Sequence, residues 1–153
     1  MIGILIVAHD TFGESLIRAV THVLSVRPIQ FETLGVRASD DPVDLLPRAR
    51  ELVTSLDTGD GVLIFSDIYG ATPCNLATKL LQPGRVEGVA GVNLPMLVRA
   101  FTYRSRGMDT MIKKAISGGC DGKLTWWDAA ACSLEHQRRR VIARPRVQVC
   151  ERS

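Results

Sequence analysis

Residues 1–10, MIGILIVAHD, decide how the fold is interpreted. The first eight are mostly apolar and rich in β-branched side chains, and so short a run is typical of a buried strand. His9 follows this strand directly, and Thr11 with Glu14 three positions later predicts a capping box at the start of a helix. Ligands bind to open α/β sheets where a strand ends and its helix begins. The sequence therefore predicts an imidazole at a position suited to a nucleophile, a base or a ligand.

Strand and helix patterns alternate along the chain as far as about residue 117. The predicted strands after the first are residues 29–36, 62–65 and 85–91. The later helices are predicted to begin near residues 40–42, 72–73, 93–95 and 108, and the last is expected to stop at Gly118–Gly119. This alternation predicts an α/β fold: an open, doubly wound parallel sheet with right-handed crossovers and helices on both faces.

Composition limits the class of protein. The chain has 153 residues, 46% of them hydrophobic, and a net charge of +3, which fits one globular domain. The arginines near residues 138–146 are interpreted as a solvated tail, since no nucleic-acid-binding motif accompanies them. No apolar run approaches the roughly 20 residues that span a bilayer, and we expect no signal peptide. The four cysteines form no C-x-x-C pair, so reduced thiols in a cytoplasmic protein are expected.

The regular pattern ends near residue 122. We expect residues 1–122 to form the functional domain and residues 123–153 an atypical C-terminal extension. The tryptophan pair Trp126–Trp127 favours a role for this extension in assembly, because interfaces are rich in aromatic anchors. The alternative is that the two tryptophans pack against their own domain.

A second polar segment follows the third predicted strand. Parallel strands one and three end at the same edge of the sheet, and a neighbouring position of the two strands would bring Asp67 beside His9. A carboxylate that accepts the Nδ1–H bond of an imidazole fixes its tautomer and leaves Nε2 with a free lone pair. Thr72 is predicted to cap the next helix, whose N-terminal amides favour an anion. Gly70 is interpreted as a turn residue with positive φ.

The other candidate residues and motifs carry little chemistry. His22 and His136 are interpreted as structural or surface residues, and Arg99 and Arg104 as solvated helix residues. Three scattered histidines do not predict a metal site, so no metal or cofactor is expected. The chain lacks the glycine-rich nucleotide-binding motifs and the G-x-S-x-G elbow, which leaves nucleotide binding and serine hydrolysis without support.

Three separated segments resemble one known family. They are residues 2–10, 61–75 and 89–97, which occur in the family's order within residues 1–120. The chain resembles the enzyme IIA components of the mannose/fructose/sorbose class of the bacterial phosphoenolpyruvate-dependent sugar phosphotransferase system. The resemblance implies a sheet of order 2-1-3-4 with a fifth, antiparallel strand, and a homodimer. The candidate for the fifth strand is Lys123–Trp127, which in the family would pair with the partner subunit.

The resemblance also implies a function. His9 would accept a phosphoryl group from the phosphohistidine of the carrier protein HPr, with Asp67 as its orienting partner. The phosphate ligands would be Thr72 and the nearby residues Gly70, Ala71 and Cys74. The phosphoryl group would then pass to a IIB component during sugar uptake or to a regulatory target.

Three other interpretations remain open at this point. One is the phosphocarrier subunit of a dihydroxyacetone kinase, although residues 67–75 fit the mannose-type pattern better. Another is a regulatory binding module that is switched by phosphate on His9 and takes no part in transport. A receiver domain, with Asp67 as the phosphoacceptor, is the weakest, because it needs an acidic pair where this chain has His9–Asp10.

Overall fold

The computed structural model describes residues 1–122, which form a parallel sheet flanked by helices. The elements are β1 (Gly3–His9), α1 (Phe12–Leu24), β2 (Phe31–Val36), α2 (Pro42–Leu56), β3 (Val62–Ser66), α3 (Thr72–Thr78), β4 (Val86–Ala90), α4 (Leu94–Tyr103), a 3₁₀ turn (Arg104–Arg106) and α5 (Met108–Asp121). The four strands are parallel and lie in the order β2-β1-β3-β4, as predicted. The predicted strand at Lys123–Trp127 lies outside the described residues.

The sheet separates two hydrophobic cores. On one face Ile4 and Ile6 of β1 belong to the core that includes residues of α1, α4 and α5. On the other face Leu5 and Val7 belong to the core that includes residues of α2 and α3. Complete burial of each such aliphatic side chain contributes roughly 1.5–3 kcal/mol. β1 is therefore packed on both faces and paired with a strand on each edge, so the backbone of its last residue, His9, is firmly positioned.

The predicted starts of α2 and α4 are confirmed. Asp41 caps α2 by accepting a hydrogen bond from the Val43 N–H at 2.8 Å, and Asn93 caps α4 in the same way. α2 begins at Pro42 and continues through Pro47, although proline inside a helix usually bends or breaks it.

Two predicted caps are wrong. Thr11 has φ −94° and ψ 8°, which is not the extended conformation of a capping residue, and its side chain makes no capping hydrogen bond. At α3 the capping position belongs to Ala71, whose carbonyl accepts from the Asn75 N–H at 2.9 Å. Thr72 is therefore the first residue of the helix, and its hydroxyl is not used as a cap.

Gly118 and Gly119 do not end α5, contrary to the prediction, since the helix continues to Asp121. A Cβ atom at Gly118 would lie 2.4 Å from Cγ of Arg99, and one at Gly119 would lie 2.5 Å from Cγ of Met96. The two glycines thus allow α5 to approach α4 closely, and packing outweighs their low helix propensity.

Arg104 is buried, which corrects its interpretation as a solvated residue. Its guanidinium donates to the carbonyls of Ile2, Ile29 (2.7 Å) and Gln30 (3.0 Å). These carbonyls precede β1 and β2, so Arg104 ties the chain together at the amino edge of the sheet, where the strands begin. Among the helices of residues 1–122, none combines the length and the apolar character needed to cross a membrane.

Candidate active site

His9 and Asp67 meet at the carboxyl edge of the sheet, where the strands end. β1 and β3 are neighbours, with Val7 paired to Ser66, so that the next residues of each strand converge. Nδ1 of His9 lies 2.7 Å from Oδ2 of Asp67, and the backbone N–H of His9 donates to the same oxygen at 2.9 Å. An ionised Asp67 has no proton to give, so in the neutral imidazole Nδ1 carries the hydrogen and Nε2 keeps its lone pair.

Asp67 is held as a carboxylate. Burial of its side chain opposes ionisation, but hydrogen bonds from the backbone and ring of His9 and from the Ile68 N–H favour it. The balance lowers the pKa of the Asp67 carboxyl below its ordinary value of 3.8. The side chain of Asp67 is 11% exposed, whereas that of His9 is 49% exposed. The pair is therefore a fixed anion that orients an accessible imidazole.

The turn after His9 is unusual. Asp10 has φ +46°, in the left-handed region that few residues other than glycine adopt, and its N–H donates to the Val36 carbonyl of β2 at 3.0 Å. On the same strand, a Cβ atom at Gly35 would lie only 2.2 Å from the Asp10 carbonyl oxygen. Gly35 was not among the candidate residues predicted from the sequence, although a glycine inside a strand pattern is itself a signal of close backbone approach.

The predicted phosphate ligands follow Asp67 on the loop and the first turn of α3. Gly70 has φ +80°, in the left-handed region expected for a turn glycine. The Ala71 N–H already donates to the Ile68 carbonyl at 3.4 Å, whereas the N–H groups of Gly70, Thr72 and Cys74 have no acceptor within residues 1–122. Thr72 is exposed and Cys74 is half-buried. Ala71 is consequently the least available donor of the four.

The remaining candidates lie apart from this pair. His22 and Arg99 are exposed on α1 and α4, as expected, and His136 is outside the described residues. In the part of the chain that the structure describes, no group of three His, Cys, Asp or Glu side chains is arranged to hold a metal ion.

Fold and site together define an open, parallel α/β protein that presents one carboxylate-oriented histidine at the carboxyl edge of its sheet. Residues 3–116 match the family model for the PTS system fructose IIA component. The chain therefore belongs to this family of sugar phosphotransferase-system proteins, and the resemblance drawn from the three sequence segments is confirmed.

Individual relatives agree with this assignment. The PTS system mannose-specific EIIAB component of Escherichia coli (strain K12) is 28% identical over 127 residues, which are 79% of this chain and 38% of that protein. The chain thus spans well under half the length of this curated relative. The EIIA component from Streptococcus agalactiae has a TM-score of 0.74 at 22% identity, covering 84% of this chain and 99% of that one. The mannose/sorbose-specific IIA subunit from Enterococcus faecalis has a TM-score of 0.72 at 18% identity, covering 81% and 93%. These two structures show the shared fold.

Proposed function

We propose that the protein is a phosphoryl carrier that accepts a phosphoryl group from phospho-HPr on Nε2 of His9. It would pass the group to a IIB component during sugar uptake or to a regulatory target. The observation that supports this most is the 2.7 Å contact between Nδ1 of His9 and the Asp67 carboxylate. In the transfer, the Nε2 lone pair forms a bond to phosphorus as the P–N bond of phospho-HPr breaks, and the bonding electrons stay on the HPr imidazole.

The charge on Asp67 supports this chemistry. Once Nε2 is bound to phosphorus while Nδ1 keeps its hydrogen, the ring of His9 carries positive charge. Asp67 lies 2.7 Å from that ring and stabilises the charge without taking the proton. Because the lowered pKa keeps Asp67 ionised at neutral pH, this stabilisation is present throughout the physiological range.

The loop after Asp67 supplies the proposed phosphate ligands. Phosphoryl transfer is catalysed chiefly by positioning and by donors aimed at the oxygens of the moving group. Such donors are available on this loop: the backbone N–H groups of Gly70, Thr72 and Cys74, and the Thr72 hydroxyl, which does not cap α3. Ala71 would contribute only after breaking its 3.4 Å bond to Ile68.

Exposed apolar side chains flank the pair and form the proposed docking surface for HPr. Phe12 begins the helix after His9, and Ile68 and Tyr69 follow Asp67. Their exposed fractions are 42%, 59% and 87%, respectively. Large apolar residues that are exposed together are typical of protein contacts, and aromatic residues are common energetic anchors there.

We also propose that residues 1–122 form the functional domain of a homodimeric carrier. Two findings support the domain: Met1–Gly119 forms one compact unit, and the family match lies within residues 3–116. Light scattering of the whole chain and of a version ending at Gly122 tests the assembly. Equal subunit numbers for the two would contradict a role of residues 123–153 in assembly.

The central experiment is phosphorylation by phosphoenolpyruvate, enzyme I and HPr. The wild-type protein should acquire an acid-labile phosphoryl group, and His9→Ala should acquire none. His22→Ala is the matched control, because His22 is exposed on α1 and has no place in the mechanism. Undiminished labelling of His9→Ala would contradict the proposal, and labelling only at Asp67 would favour a receiver-type reaction.

A further inference from the structure

Gly35 on β2 lies against the turn that follows His9. A Cβ atom built on Gly35 would lie 2.2 Å from the carbonyl oxygen of Asp10 and 3.2 Å from its carbonyl carbon. The obstacle is backbone, which cannot rotate away as the end of a flexible side chain can. Any residue with a side chain at position 35 must therefore displace the backbone of Asp10.

Asp10 has little freedom to absorb such a displacement. Its N–H donates to the Val36 carbonyl at 3.0 Å, and its φ of +46° lies in a small left-handed region. On the other side, the N–H of His9 donates to the Asp67 carboxylate at 2.9 Å. The backbone that carries the imidazole is thus held between β2 and Asp67, and moving one side alters the other.

We propose that Gly35 is a positioning residue for His9. The absence of a side chain lets the Asp10 carbonyl lie against β2, and this sets the direction in which the His9 imidazole leaves β1 toward Asp67. The proposal rests on the phosphoryl-carrier function for its kinetic consequence, but the geometry of the ring can be measured without any transfer reaction.

The first test compares Gly35→Ala with Gly88→Ala. Gly88 lies on the opposite edge strand, β4, where a Cβ atom would first meet Cδ2 of Leu81 at 3.1 Å, the end of a flexible and exposed side chain. Gly35→Ala should slow transfer from phospho-HPr roughly tenfold or more while KM changes little, because small misplacements of a reacting group are costly. Gly88→Ala should match the wild type.

The second readout is the ¹⁵N spectrum of the His9 ring in the unphosphorylated protein. Gly35→Ala should lose the dominance of the Nδ1–H tautomer that the Asp67 contact maintains, and Gly88→Ala should keep it. A general loss of stability would not alter the tautomer in the folded fraction. If wild-type His9 accepts no phosphoryl group, the proposed function fails, and the ring spectrum still tests Gly35.

The third test is rescue by Asp10→Gly. Glycine adopts positive φ without steric cost and can shift to relieve the contact, so Asp10→Gly in the Gly35→Ala background should restore most of the lost rate and the tautomer. Asp10→Gly alone should stay close to the wild type. A Gly35→Ala protein with normal rate and tautomer would overturn the proposal. A defect in folding or transfer that Asp10→Gly does not relieve would overturn it as well.

Discussion

Two aspartates at opposite edges of the sheet, Asp57 and Asp67, are similarly buried and accept the same number of hydrogen bonds, but their side-chain partners differ. Asp57 at the amino edge accepts from the N–H groups of Gly59 and Gly61 at 2.9 and 3.1 Å and from Nε of Arg85 at 2.7 Å. Asp67 at the carboxyl edge also accepts from two backbone N–H groups and one side chain. The two carboxylates are 13% and 11% exposed.

The partner decides what each carboxylate can do. The guanidinium of Arg85 is a donor that offers no lone pair, so its pair with Asp57 only joins the end of α2 to the residue before β4. The imidazole of His9 uses one nitrogen for Asp67 and keeps the other for chemistry. Burial and hydrogen-bond number alone therefore do not identify a site; the nature of the third donor does.

Neutralising each carboxylate in turn should separate their roles and have the largest effect. Asp67→Asn should slow transfer from phospho-HPr to His9 on the order of 10²-fold, because the variant cannot stabilise the charged ring. Asp57→Asn should leave the transfer rate unchanged and reduce the free energy of unfolding. Rapid-quench kinetics and urea denaturation measure the two effects. Equal transfer rates for the two variants would remove Asp67 from the mechanism.

The amino edge can also be tested through Arg104. Arg104→Met should lower the free energy of unfolding by about 3 kcal/mol, since a buried guanidinium's hydrogen bonds to three carbonyls are lost while much of the side-chain volume is kept. The transfer rate of the folded protein should not change. Arg106→Met is the control, because Arg106 is exposed in the same 3₁₀ turn and should change stability by less than about 0.5 kcal/mol. Equal stabilities of the two variants would show that the hydrogen bonds of Arg104 do not stabilise the fold.

A smaller effect is expected at the docking surface. Tyr69→Ala should raise the KM for phospho-HPr several-fold, up to about tenfold, with little change in kcat, because truncating an exposed aromatic anchor weakens association. Val26→Ala is the control, since Val26 is 64% exposed in the segment between α1 and β2, at the amino edge. A wild-type KM for Tyr69→Ala would exclude Tyr69 from the HPr contact.

The smallest effect concerns acid stability. The pKa values of both Asp57 and Asp67 are lowered from 3.8 in the folded protein. At Asp57 the hydrogen bond from the Gly59 N–H lowers the pKa, and burial opposes it only in part. At Asp67 burial raises the pKa, but the hydrogen bonds from His9 and Ile68 together outweigh burial. A carboxyl with a lowered folded-state pKa stabilises the fold above its unfolded pKa, and this contribution is lost as the pH falls through the folded-state value. Between pH 5 and pH 2, the free energy of unfolding should therefore fall less steeply with decreasing pH for Asp57→Asn and for Asp67→Asn than for the wild type. Unchanged slopes would contradict the lowered pKa values.

The fold was predictable because its signals are local and mutually consistent. Short apolar strands alternate with helix patterns, and Asp41 and Asn93 mark helix starts through side-chain chemistry that acts within three residues. The errors came where distant packing overrides local preference. Gly118 and Gly119 stay helical because α4 packs closely against them, and Arg104 is buried because the carbonyls of Ile2, Ile29 and Gln30 lie within its reach.

The amino-acid sequence alone predicts the order of the elements, their alternation, and the position of His9 and Asp67 at the ends of two parallel strands, because strand periodicity and chain order fix which residue leaves which edge. The folded structure is needed to show that β1 and β3 are neighbours in this register, that Nδ1 faces the carboxylate at 2.7 Å, and that Gly35 leaves room for the Asp10 carbonyl. Those contacts join residues 25 to 59 positions apart, and they form only when the buried strands pack side by side.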